Sequence, residues 1–328
     1  MPAEWEPHEA TWIAWPHNRA DWPGRFTPIP WVYADIVRNL SQVERVRILV
    51  NDEAAKDKAA RLLRKVDAEM SAVEFFLLPT NRVWTRDYGP IFVKSQAGRV
   101  AVTNWKFNAW AKYGDWQLDN SVPGKLAPKL GMQMWTLDVV LEGGSIDVNG
   151  QGALLTTEEC LLSKVQARNP NLSRAQLEHQ LQEALGLTSI VWLRNGIAGD
   201  DTHGHVDDLA RFVDAHTIVI ASEMNQKDAN YAPLAQNHDL LKQHPYRVVK
   251  LPMPRAVIFD GVRLPASYAN LYIANDLVLV PTFNDANDRI ALRILADLFP
   301  RRRIVGINCL ELVWGLGTLH CMTQQQPA

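Results

Sequence analysis

One pattern occurs five times along this chain and limits the folds open to it more than any other feature. A polar residue is followed by a short apolar strand, a Gly, Asn or Asp turn, and a second apolar strand. The first occurrence begins at Trp84-Thr85-Arg86-Asp87-Tyr88-Gly89-Pro90, turns at Gln96-Ala97-Gly98 and continues over 99–102. The second begins at Glu142-Gly143-Gly144-Ser145 and resumes at 152–156. The third begins at His205-Val206-Asp207 and turns at Asp214-Ala215-His216 into 217–221, and the fourth covers 268–280 with its turn at Asn275-Asp276. The fifth opens at Cys321 and is cut short by the chain end. The units return about every 50 to 65 residues, a spacing typical of propeller-like or solenoid architectures.

Helical patterns lie between the units. Apolar residues at i, i+3 and i+4 predict helices over 31–43 and 52–66. A third is predicted over 173–185, opened by the capping Ser173 and closed by Gly186. A fourth, 285–298, stops ahead of Pro300. Each is followed by an apolar, mostly β-branched run (46–50, 73–78, 190–193, 248–251 and 304–307 in all), so the chain is α/β with a mixed sheet pattern. A doubly wound nucleotide-binding fold is disfavoured, because Gly143-Gly144 leads into a strand and makes a poor phosphate cradle. With no linker or low-complexity stretch, residues 1–328 read as one domain.

Composition narrows the function classes. A net charge of -2 leaves no electrostatic footprint for nucleic acid or an anionic membrane. The one dense basic run, Arg301-Arg302-Arg303, is predicted to be a solvated loop ahead of a strand. Three cysteines are too few for a disulfide framework and suit a reducing compartment. No apolar run reaches membrane-span length, and the first ten residues lack the features of a signal peptide, so a cytoplasmic protein is expected.

The polar residues that open the units are Asp87, Glu142, His205 with Asp207, and Cys321, each beside a glycine. In a radially repeated fold, equivalent strand ends converge on one axis, so these residues can meet. Together they suit a guanidinium. Asp87 and Asp207 can each accept paired hydrogen bonds from that planar cation. Cys321 can attack its carbon, and His205 can protonate departing ammonia and then activate water. Glu142 can orient a charged His205 or add an anionic contact. Three carboxylates around a thiol disfavour the thiolate, so it is expected mainly once a cation is bound. Neighbours alternate on a strand, so Asp208 is predicted to face outward, as is His320 beside Cys321.

These residues resemble the guanidino-group-modifying, or pentein, superfamily, in its agmatine deiminase and bacterial peptidylarginine deiminase-like branch. The resemblance spans nearly the whole chain: Pro2-Ala-Glu-Trp-Glu-Pro-His-Glu9, Trp84 to Pro90, Phe107-Asn-Ala-Trp110, Leu141-Glu-Gly-Gly-Ser145, Gly204-His-Val-Asp-Asp208 and His320-Cys-Met-Thr-Gln-Gln325. It implies a five-bladed pseudo-symmetric α/β propeller, no metal or cofactor, and a covalent amidino-cysteine intermediate on Cys321. It implies Glu142 and His205 beside the nucleophile, a small guanidino substrate held by Asp87 and Asp207, and a homodimer or larger homo-oligomer. Agmatine, hydrolysed to N-carbamoylputrescine and ammonia, is the expected substrate; peptidyl-arginine or free arginine is the alternative. The chain departs from the family pattern at Gly315-Leu-Gly-Thr318 and at Tyr88, which leaves the distal end of the substrate open. An amine there would want an acidic or aromatic clasp, for which Trp84 or the segment 12–22 is available. A carboxylate would want an arginine such as Arg86, Arg194 or Arg255.

A rival reading takes His203-Gly204-His205-Val206-Asp207 as a His-x-His-x-Asp metal loop of a hydrolase, although Asp208 stands where the loop's last histidine belongs. Amidino transfer to an amine and a silent binder of the same cation are two more.

Overall fold

In the computed structural model, which describes residues 1–328, five small sheets repeat one topology. Ile91–Lys94 pairs antiparallel with Val100–Lys106, which pairs parallel with Met134–Val140. The same order holds for Asp147–Val148, Ala153–Thr157 and Ser189–Leu193. It recurs in Ala210–Asp214, Thr217–Ser222 and Arg247–Pro252, and again in Tyr272–Ile273, Leu277–Thr282 and Arg303–Asn308. The remaining sheet joins both chain ends. Gln324–Pro327 pairs antiparallel with His8–Ala14, which runs parallel to Arg45–Val50, itself parallel to Val73–Leu77. The unit left short at Cys321 is therefore completed by the start of the chain.

Parallel neighbours need a long crossover, and helices supply it in most of the units. Asp52 caps Glu53–Lys65 by accepting from the Ala55 N–H. Ser173 and Gln176 form a capping box at the start of Arg174–Leu185, and Gly186 ends it at φ 67°. Ile29–Leu40 starts earlier than its apolar spacing predicted, with proline in its first turn. Asp288–Leu298 starts later, because Asp285 spends its carboxylate on the Asn287 N–H in the turn before it. Two helices of eight residues or more went unpredicted, Val122–Lys129 and Tyr231–Leu241. Each carries an early proline (Pro123, Pro233), which a first turn tolerates because its N–H groups have no intrahelical partner.

A large apolar core gathers Trp12, Trp22, Tyr33, Trp84 and Trp110 around the Cys321 turn. Of the basic run, Arg301 and Arg303 are exposed, while Arg302 donates to the carbonyls of Ala274 and Trp5. No helix is long and apolar enough to cross a membrane.

The polar openers do not sit on strands. Asp87 lies in the one-turn helix Thr85–Tyr88, Glu142 precedes the turn Gly143–Ser145, and Asp207 lies within Val206–Asp208. The turns at Gly143–Ser145 and Val206–Asp208 pack on each other, and Thr85–Tyr88 packs on the first of them. In such tight turns successive side chains point roughly 120° apart rather than to opposite faces. The alternation that assigned Asp208 and His320 outward therefore does not apply, and both are buried.

Candidate active site

Gly144 marks where the openers converge. A Cβ at this position would lie 2.6 Å from His205 Nδ1, 2.8 Å from Asp87 Oδ1 and 3.0 Å from Asp207 Oδ2. Only a glycine allows three polar side chains to approach one point of backbone so closely. Its N–H donates to Asp87 Oδ1 at 3.2 Å. Asp87 Oδ2 accepts from the Trp110 indole at 2.9 Å. That indole is aimed by three successive left-handed residues, Ala109, Trp110 and Ala111, at φ 50°, 58° and 54°. Left-handed backbone costs a non-glycine residue about 1–2 kcal/mol, and here the Asn108 side chain helps hold it by accepting from the Ala111 N–H.

Glu142 is fully buried, and its Oε1 accepts from Arg168 Nε at 3.1 Å. Burial opposes its ionisation, but Arg168 and then His205 outweigh burial and hold the carboxyl down at about 2. Ionised Glu142 therefore favours the folded state above the ordinary carboxylate value of about 4.3. That contribution fades as pH falls from there toward 2. The stability gap between the wild-type chain and Glu142→Gln, followed by urea unfolding, is expected to narrow between pH 5 and pH 2.5. A gap constant over that range would refute the linkage.

His205 lies between the acids, with Nε2 3.8 Å from Glu142 Oε2 and Nδ1 3.7 Å from Asp87 Oδ1. Burial works against its charged form; Asp87, then Cys160 and Glu142, outweigh burial and raise its pKa well above the usual value. Asp87 is pushed up to about 7, by burial first and by Asp207 and Glu142 next, against the pull of His205. Asp207 is held low instead: burial opposes this, but its Oδ2 accepts from His320 Nδ1 at 2.7 Å. Both ring nitrogens of His205, Glu142 Oε2 and Asp207 Oδ1 are buried without a hydrogen-bond partner. Such orphaned groups are costly unless a ligand satisfies them.

Cys321 Sγ lies 3.9 Å from Asp207 Oδ2. Burial, then Asp207, Asp208 and Asp87, push its thiol well up. The acids crowding the sulfur thus include Asp208, which sequence reasoning had turned outward, and not Glu142. Above the sulfur opens a cavity of about 330 Å³ floored by Asp87 and Cys321 and walled by Trp84, Trp110, Tyr113 and Trp314. Glu142, His205 and Asp207 lie beneath this floor, fully buried. Of the segment 12–22, Trp12, Trp15 and Trp22 are core, and it is Ala20 and Asp21 that reach the cavity.

The cavity carries Asp21 and Asp201 but one basic side chain, Arg82, which is bound by Asp21 at 2.5 Å and Asp115 at 2.9 Å. The three arginines considered for a substrate carboxylate are elsewhere. Arg86 is buried on Glu4 and Gln325, Arg194 is exposed beside Glu158, and Arg255 is exposed on Asp285. Tyr88, one of the two departures from the family pattern, donates to the Arg82 carbonyl from below the cavity.

Potential metal ligands cluster twice, as Glu142, Cys160 and His205 and as Asp207, Asp208 and Cys321. His203 joins neither: its ring meets Ser163 Oγ at 3.1 Å, so the His-x-His-x-Asp residues do not converge.

Four participants were missed in the sequence. Arg168 pairs with Glu142, and Glu4 holds the far nitrogen of His320 at 2.8 Å. Cys160 lies against His205, and Asn270 touches the Cys321 sulfur at 3.1 Å. Asn270 alone had a signal: it stands just ahead of Tyr272–Ile273 as Asp207 stands ahead of Ala210–Asp214, the polar opener of the fourth unit.

A thiol among buried carboxylates at the bottom of an aromatic-walled cavity, carried on this mixed α/β fold, marks the class of proteins that handle guanidino groups. The chain belongs to the Porphyromonas-type peptidyl-arginine deiminase family, whose pattern it matches over residues 1–327. A Cys→Ser variant of the C. jejuni agmatine deiminase, solved with substrate bound, is 33% identical with a TM-score of 0.92, covering 100% of this chain and 96% of that one. The Enterococcus faecalis agmatine deiminase is 32% identical with a TM-score of 0.93, covering 100% and 95%. A Legionella pneumophila protein provisionally named agmatine deiminase is 36% identical over 100% of this chain and 94% of its own length.

Proposed function

We propose that this chain is a hydrolase that deiminates agmatine to N-carbamoylputrescine and ammonia through an amidino-cysteine intermediate on Cys321. The observation that carries the reading is the cavity's charge. Its floor offers the Cys321 thiol and the Asp87 carboxylate with Asp207 beneath, while its walls offer no uncommitted cation: Arg82 is paired with Asp21 and Asp115, and Asp201 is held by Lys112 and Tyr113. A guanidinium between Asp87 and Asp207 would satisfy the orphaned Asp207 oxygen and offset the acids that suppress the thiolate.

In this reading the sulfur of Cys321 bonds to the guanidinium carbon and one C–N bond breaks. Ammonia leaves with a proton from His205, whose charged form the surrounding acids favour. His205, oriented by ionised Glu142, then takes a proton from water. The water oxygen bonds to the carbon, the S–C bond breaks, and the thiol is regenerated with the ureido product. Trp84 and Trp110 flank the alkyl chain. The same polypeptide, residues 1–328, supplies every group as one domain. The repeated topology and the pairing of both chain ends support a five-bladed propeller around the site. Three free cysteines fit a cytoplasmic setting, and a homodimer or larger assembly is expected from the family, to be read by sedimentation.

Free arginine or a peptidyl backbone would place a carboxylate or carbonyl against walls whose one cation, Arg82, is already paired. Agmatine is expected to be favoured over arginine by about 100-fold in kcat/KM, the equivalent of one charge-assisted hydrogen bond gained. Colorimetric measurement of the ureido product across agmatine, arginine and an arginyl peptide tests this. Equal or better turnover of arginine or the peptide would overturn the amine assignment.

A further inference from the structure

The first residues of the chain reach the site from beneath. The Met1 amino group donates to the Leu185 carbonyl at 2.6 Å, and Glu4 is buried close by. Its carboxylate meets only donors. Oε1 accepts from the Ile273 N–H at 2.8 Å and pairs with Arg211 at 2.9 Å. Oε2 accepts from Arg86 at 3.2 Å and from His320 Nε2 at 2.8 Å. The pairing of His8–Ala14 with Gln324–Pro327 brings residue 4 beside the turn that carries Cys321. Closing the fold with the start of the chain therefore also delivers an anion to that turn.

The other ring nitrogen of His320, Nδ1, meets Asp207 Oδ2 at 2.7 Å, so the imidazole stands between two carboxylates. Burial opposes ionisation of both acids, and their partners outweigh it. Arg211, His320 and Arg86 hold Glu4 well below the usual carboxylate range; His320, then His205 and Arg211, hold Asp207 below it. An ionised carboxylate only accepts, so both ring nitrogens must donate and the ring carries two protons. Asp208 and Asp87 also bear on the Asp207 end of this row. Asp147, Tyr272 and Arg302 bear on the Glu4 end. Besides His320, the Asp207 carboxylate receives only the Cys321 thiol at 3.9 Å, and its Oδ1 has no partner. The ring is thus what sets the orientation of that carboxylate.

We infer that Glu4 is a positioning residue: it keeps the His320 ring doubly protonated, and that ring fixes Asp207 with its free Oδ1 toward the guanidinium. The last step rests on the deiminase reading above; the state of the ring does not. A charged donor holds a carboxylate roughly twice as strongly as a neutral one. Glu4→Gln isolates this charge, because glutamine offers one oxygen where Glu4 offers two. Its amide N–H group must face one pair of donors, and of the groups around it only His320 can give up a proton and accept. The ring then keeps its Nδ1 proton for Asp207 and loses its charge.

Ring-nitrogen NMR of the full chain carrying isotope-labelled histidine reads this directly, with His320→Asn identifying the signal. Both His320 nitrogens are expected to be protonated in the wild type, and Nδ1 alone in Glu4→Gln. Turnover of agmatine is expected to fall by about tenfold in kcat/KM in Glu4→Gln, the difference between a charged and a neutral hydrogen bond to Asp207. Adding Glu4→Gln to His320→Asn should cost nothing more, because Glu4 then has no ring to act through. A wild-type ring with one proton, or a ring unchanged by Glu4→Gln, would overturn the proposal. So would losses that multiply in the double variant, which would place the action of Glu4 in Arg86 and Arg211 instead. If Glu4→Gln fails to fold by circular dichroism, the wild-type ring decides: two protons support the proposal and one overturns it. A ring that changes as expected, in a chain whose wild type leaves agmatine untouched, would sink the substrate reading and keep the Glu4 contact.

Discussion

Cys321→Ser is expected to lose turnover by about 10⁴-fold or more, as removal of a nucleophile commonly does, while folding and still binding the cation. The reason is local. A serine hydroxyl ionises far less readily than a thiol, and the charged groups around position 321 are acids that oppose ionisation further. Asn270 would still donate to the new oxygen, and the packing around the turn would change by little more than a shorter bond. Binding should therefore persist, since Asp87 and Asp207 are untouched. Ammonia release measures the first half and titration calorimetry with agmatine the second. Activity within tenfold of wild type would remove Cys321 from the chemistry. Loss of binding along with activity would show that the sulfur organises the pocket.

Asp207→Asn is expected to lower kcat/KM by about 10³-fold. In the proposed reading the carboxylate would contribute two charge-assisted bonds to a guanidinium, each worth about 1.5–3 kcal/mol, and tenfold corresponds to about 1.4 kcal/mol. The amide keeps the shape and keeps an acceptor for the His320 ring, so what changes is charge and the geometry of one paired contact. The loss should appear in both kcat and KM, because the same contact binds the ground state and orients its carbon over the sulfur. Steady-state kinetics on agmatine checks it, with thermal unfolding as the control. A change under threefold in a folded variant would show that the orphaned oxygen of Asp207 faces something other than the substrate.

The two results bear on different parts of the site. The first concerns the thiol at the cavity floor, and the second a group that lies beneath it, fully buried. That depth separates the structure from the sequence reading, which placed Asp207 and His205 beside the substrate on strand ends. The glycine at 144 explains how both hold: it removes the side chain that would otherwise stand between these groups and the floor.

Some features were legible because their causes are local. Asp52, Ser173 and Gly186 announce their helix ends through hydrogen bonds that close within a few residues. Four hairpin units were legible because alternating apolar runs broken by turn residues need no distant partner to be recognised, whereas completion of the fifth by the start of the chain was not. The chemistry-bearing residues could be named because each opens a unit beside a glycine, and the repeat implies that equivalent positions converge. Which way a neighbour points could not be named. Asp208 and His320 were misplaced because a tight turn, not a strand, carries the first, and because the second is drawn inward by Asp207 and Glu4.

Residue types, repeat period and helix ends were thus set along the chain itself, where the interacting groups are neighbours. Tertiary structure alone decided that Arg168 neutralises Glu142 from 26 positions away and that Arg82 is spent on Asp21, 61 positions away. It alone put Asn270, 51 positions from Cys321, against the sulfur. The strength and sign of a charge in a buried site depend on its partners, and packing brings those partners together from segments whose local patterns carry no record of one another.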